Sequence, residues 1–128
     1  MHGSSRSATL VRCLEVSTQF VLRVRARLQP HAKLVFSTST PVPVGDGGGS
    51  RTEAHVLEYN TAARAALPAD VVVNDLHGAI VSKCGAEYAK TGHCELQVPN
   101  GVHYEYEGRQ YGALSVVRVI LRELWGMG

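Results

Sequence analysis

His103 stands in a glycine-containing loop, PNGVHYEYEGRQY over residues 99–111, just ahead of an apolar-periodic run that ends at Trp125. An imidazole in a loop before a packing helix is a common way to hang a general base over the edge of a sheet. Such a base acts only on an activated nucleophile. The candidate hydroxyls are Ser37, Ser39, Ser50, Ser82 and Ser115, and none lies in a G-x-S-x-G elbow or another strained strand-to-helix turn. Ser50 has the position of a helix cap and Ser115 that of a polar helix side. Ser37 and Ser39 follow a strand, where hydroxyls usually satisfy backbone groups.

A second constellation is Cys84, His93, Cys94 and His103. Two thiols and two imidazoles suit Zn²⁺, but the C-x₈-H-C spacing lacks the close cysteine pair of a structural site. A Cys84–Cys94 disulfide closing a short loop is the preferred reading, which leaves Cys13 unpaired. His31, His55 and His77 have no evident partners in the sequence. No cofactor motif is legible, and none is expected.

With 128 residues, 45% hydrophobic and 19% charged, the chain can bury one core. A net charge of +2 is too small to argue for nucleic acid, and Arg23, Arg25 and Arg27 fit a solvated face. No apolar run approaches the ~20 residues that span a bilayer. Residues 1–16 contain no continuous apolar stretch of the signal-peptide kind. The compartment is not legible, although a Cys84–Cys94 bridge would go with a secreted protein.

The elements follow from periodicity and punctuation. Residues 1–9 are expected as a mobile lead-in. Residues 10–28 are expected as a helix, stopped by Pro30, with Leu14, Val21 and Leu28 and also Phe20 and Val24 on one side. Within it LRVRARL also alternates as a strand would. AKLVF, residues 32–36, suits a strand, and Pro41-Val42-Pro43 forces an extended path. Ser50-Arg51-Thr52-Glu53 fits a capping box for a helix to about Leu67 that buries Val56, Tyr59, Ala63 and Leu67. DVVVN, residues 70–74, suits a strand covered on both faces. A short helix over 75–81, an irregular stretch over 82–99 and a last helix over 107–124 complete the chain. That helix is expected to bury Leu114, Val117, Leu121 and Leu124, with a second apolar row at Ala113, Val116 and Ile120. This order argues for α/β with a parallel sheet, although only two strands are clear.

Four stretches taken together, AKLVFSTSTPVP, EYNTAARAAL, VVVNDLHGAIV and NGVHYEYEGRQYGAL, resemble the C-terminal half of SGNH (GDSL-type) hydrolases over residues 20–125. The resemblance implies a three-layer α/β/α, flavodoxin-like sandwich, here with an incomplete parallel sheet, and hydrolysis of carboxylic esters. It implies His103 as the general base and Asn100 as its orienter, where the family has Asp. Exchanging Asp for Asn behind a catalytic histidine costs about 10⁴ in rate in a comparable triad. The family's Gly-Asp-Ser nucleophile block and its Gly-x-Asn-Asp block are absent from these residues. The expectation is therefore residues 10–128 as a C-terminal portion of such a domain, inactive alone. An ester would be its substrate once an N-terminal half completed it. The alternative is a non-catalytic remnant or interaction module.

Overall fold

A computed structural model describes residues 3–43, 50–85, 88, 91–99 and 101–126, with side chains from residue 8 onward. Among these are helices α1 (Gly3–Arg25), α2 (Glu53–Ala66), α3 (Leu76–Cys84) and α4 (Tyr106–Trp125), and strands β1 (Val35–Ser37) and β2 (Val72–Asn74). The class is α/β, and the two strands form a parallel pair. Val72 N donates to Leu34 O at 2.9 Å, and Thr38 N donates to Asn74 O at 3.0 Å. As expected from the sequence, α2 lies between these strands in the chain.

The chain divides into two compact units. The first holds residues 1–36 and 58–73. Here α1 begins inside the stretch expected as a lead-in, because no proline interrupts the chain before Pro30. Helix wins over the strand alternation of residues 22–28 for the same reason, aided by good helix formers such as Arg, Ala and Leu. The amides of Ala26, Arg27 and Leu28 close the end onto Leu22, Val24 and Arg25. Val21, Ala63 and Val71 are buried in this unit, whereas Phe20 is exposed. Arg25 pairs with Asp70 at 2.5 Å, and both side chains are well solvated, so the pair adds little stability. Val72 and Val73 are only half-buried, short of the two-sided cover expected for β2.

The second unit holds residues 37–57 and 74–128. Asp75 caps α3 by accepting from Gly78 N at 3.0 Å, and Gly85, at φ 80°, closes the other end. α3 packs on α4. Tyr88, Cys94 and Leu96 form a small buried cluster with Val81, Cys84, Tyr104 and Tyr111 around it.

α4 does not bury the expected stripe. Gly108 and Val119 are its buried residues, with Tyr111, Gly112, Ser115 and Val116 half-buried beside them. Leu114, Val117, Ile120 and Leu124 are exposed. The small residues decide which side turns inward. A Cβ at Gly108 would run into the Leu96 carbonyl oxygen, so only glycine lets the helix approach this loop so closely.

Candidate functional site

The buried polar groups of the second unit gather where β1 and β2 end. Open α/β sheets bind ligands at the carboxyl ends of their strands. Thr38, the residue after β1, is buried, and its hydroxyl accepts from His77 N at 2.9 Å. The same hydroxyl donates to Asp75 Oδ1 at 3.4 Å. Asn74, the last residue of β2, donates through Nδ2 to Ser37 Oγ and accepts from Ser115 Oγ, each at 3.1 Å. Each side chain thus satisfies another across the strand ends, the form buried polar groups must take to avoid a desolvation penalty.

His77 sits in the first turn of α3, and its Nε2 meets Glu53 Oε1 at 2.5 Å. The second Glu53 oxygen accepts from Val42 N at 2.7 Å. Val42 lies between two prolines, so its amide is the lone donor of Pro41-Val42-Pro43. The carboxylate therefore holds the extended segment after β1 and the α3 imidazole together. Nothing in the sequence joins residues 42, 53 and 77. Their meeting is a product of the parallel crossover.

That use of Glu53 replaces the expected capping box. Thr52, not Ser50, takes the cap by accepting from His55 N at 3.3 Å, and Ser50 is exposed. Ser115 does lie on a polar side of its helix, but that side is turned inward to Asn74.

The His103 loop is a small folded-back strip. Val98 N donates to His103 O at 2.9 Å, Glu105 N donates to Leu96 O at 3.0 Å, and Gln97 bridges Tyr104 in the antiparallel sense. Gln97 Nε2 donates to Pro41 O at 3.2 Å and to Tyr104 Oη at 3.3 Å. Tyr104 also bonds to Thr40. His103 is exposed, and among the described residues its ring has no hydrogen-bond partner. Asn100 lies outside the described residues. Ser37 and Ser115 bond to Asn74, and Ser82 is exposed on α3. Among the described residues no hydrogen bond joins His103 to Ser37, Ser82 or Ser115.

The chain has no match among family models, curated proteins or solved structures.

Cys84 and Cys94 form a disulfide with a Cα–Cα distance of 5.1 Å, and Cys13 is free and exposed. The bridge takes both thiols that a Cys84, His93, Cys94 and His103 zinc set would have needed. Two tyrosines stand near Glu53. Burial pushes the Tyr88 hydroxyl well above the ordinary tyrosine range, with the Glu53 carboxylate adding to it and Tyr104 contributing least. Burial raises Tyr104 also, against the opposing bonds from Thr40 and Gln97. Tyr88 Oη and Gln97 Oε1 are buried without a partner among the described residues.

In the second unit a cleft of about 270 Å³ runs beside Tyr104, lined by Thr40, Leu76, Ile80, Arg109, Gly112 and Val116 among others. In the first unit a groove of about 400 Å³ is lined by Val16, Phe20, Val24, Leu34, Phe36 and Tyr59 among others. Its lining supplies no acid, base or nucleophile apart from the hydroxyls of Ser17 and Tyr59. Among the described residues no helix is long and apolar enough to cross a membrane.

Proposed function

We propose that this chain carries the base-bearing part of an SGNH-type ester hydrolase domain, whose full architecture is a three-layer α/β/α sandwich. One observation carries the reading. The loop bearing His103 is tied through Gln97 to Pro41 and through Tyr104 to Thr40, in the segment that leaves the carboxyl end of β1. A solvent-facing imidazole on a loop anchored there suits a general base. In the reaction His103 takes the proton of a serine hydroxyl as its oxygen bonds to the ester carbonyl carbon. It returns that proton to the departing alcohol oxygen as the carbon–oxygen bond breaks. Asn100 is assigned as the orienter, at the position where the family has Asp. The cleft beside Tyr104 has the apolar walls and the size for a short acyl chain.

The nucleophile is the missing part. Ser37 and Ser115 are engaged with Asn74, and no Gly-Asp-Ser block occurs in the 128 residues. The purified chain is therefore expected to hydrolyse a short-chain p-nitrophenyl ester no faster than its His103→Ala variant. Fusion to a Gly-Asp-Ser-bearing N-terminal half should restore turnover that His103→Ala removes and Asn100→Asp increases. A fusion that binds ester yet turns over equally with and without His103 would refute the assignment.

A second reading, a non-catalytic interaction module, is favoured by a His103 ring without a partner among the described residues and by the exposed apolar side of α4. A fused protein that folds but shows no His103-dependent turnover would select it.

A further inference from the structure

α4 is apolar on two opposite sides, and the side turned away from the core has its own spacing. Leu114, Val117, Leu121 and Leu124 recur at intervals of three, four and three, the a and d positions of a heptad. Val119, on the opposite side of the helix, is buried. Leu114 is 52% exposed, Val117 45% and Leu124 57%, while Leu121 is half-buried. Ile120 and Trp125 flank the stripe, and Trp125 is 65% exposed. In register with the stripe, Ile120 takes a g position and Arg118 and Trp125 take e positions.

A seam spaced this way fits another helix bearing the same seam. The stripe is also symmetric about residue 119. Turned antiparallel on a copy of itself, it sets Leu114 opposite Leu124 and Val117 opposite Leu121, each pair occurring twice. That is the self-complementarity a two-fold interface requires. The antiparallel sense also opposes the two helix macrodipoles favourably. The exposed side chains of two copies together would cover ~1,000 Å², the lower limit for a specific interface and the range of a weak, reversible dimer.

We propose that α4 is a homodimerisation helix, pairing antiparallel with α4 of a second copy through Leu114, Val117, Leu121 and Leu124. The surface lies on the far side of α4 from Val119, so the pairing is independent of any chemistry at His103.

Sedimentation of the full chain between about 1 and 200 µM tests this, with the emission of Trp125, the sole tryptophan, as a second readout. The expected result is a concentration-dependent shift from monomer to dimer mass, with Trp125 emission moving to the blue. Leu114→Glu alone and Leu124→Lys alone should each leave a monomer up to 200 µM, since each places two charges in the seam. Both positions are exposed in the single chain, and far-UV circular dichroism at 1 µM should be unchanged. The double variant should dimerise again, because the antiparallel sense sets each new acid against a new base. A wild-type monomer throughout, single variants that still dimerise, or a double variant that stays monomeric would each overturn the proposal. Should the variants fail to fold, unchanged wild-type Trp125 emission across the concentration range would do so alone.

Discussion

Glu53 Oε1 lies 2.5 Å from Nε2 of His77, twenty-four residues further along the chain, and the imidazole is largely buried. With its other oxygen on Val42 N, Glu53 joins the start of α2, the segment after β1 and the first turn of α3. Glu53→Ala leaves an amide and an imidazole nitrogen without their partner, an expected loss of ~2–4 kcal/mol by urea denaturation at pH 7. Glu53→Gln should lose less, because its amide oxygen can still accept from Val42. Equal losses in the two variants would mean that the carboxylate's hydrogen bonds are not what matters.

Tyr88 gives the opposite expectation. Its hydroxyl is buried without a partner among the described residues, so Tyr88→Phe removes a desolvation penalty at almost unchanged shape. Stability should hold or rise by about 1 kcal/mol at pH 7. Because burial raises Tyr88 and Tyr104, the unfolded chain loses these protons first as pH rises, near pH 10, while the folded chain keeps them. Their contribution is fully present below about pH 10 and declines above it as pH climbs toward the folded values. The decline should be shallower in Tyr88→Phe. Stability profiles of the two proteins from pH 8 to 11 decide this, and parallel curves would contradict it.

Gly108 and Gly112 lie one turn apart on α4 and should respond in opposite directions. Helix propensity alone favours alanine at both by roughly 1 kcal/mol. At Gly108 the added Cβ meets the Leu96 carbonyl, a backbone atom that cannot rotate away, so Gly108→Ala should destabilise by ~2 kcal/mol or more. At Gly112 the nearest atom to a Cβ is Leu76 Cδ1 at 4.0 Å, ordinary contact, and alanine should be neutral or stabilising. Thermal melts of the two variants check the contrast. A stabilised Gly108→Ala would show that α4 does not press on the Leu96 loop.

The Cys84–Cys94 bridge closes a loop with a sequence separation of 10, from the end of α3 into the Leu96 cluster. Closing a loop of this length contributes ~2.5 kcal/mol by restricting the unfolded chain. The native oxidised protein should titrate one thiol, Cys13, with a colorimetric disulfide reagent. Reduction should expose three and lower the urea midpoint. Three reactive thiols in the unreduced protein would remove the bridge.

What the sequence determined by itself is what depends on near neighbours. The helices at residues 53–66 and 106–125, the two short strands, the short helix after Asn74 and the extended Pro41–Pro43 path follow from periodicity and proline geometry that act within a few residues. The preference for a Cys84–Cys94 bridge likewise needed only the short loop between them. The tertiary structure alone decided the rest. Glu53 has the same local signature whether it closes a capping box or reaches His77, and only the meeting of residues 42, 53 and 77 settles it. Likewise α4 offers two apolar sides with the same helical period, and periodicity cannot rank them. The side bearing Gly108, Gly112 and Ser115 went inward because small side chains let the backbone come close to Leu96 and a hydroxyl reach Asn74. Close approach and a satisfied polar contact outweighed the larger hydrophobic stripe, which was left facing outward.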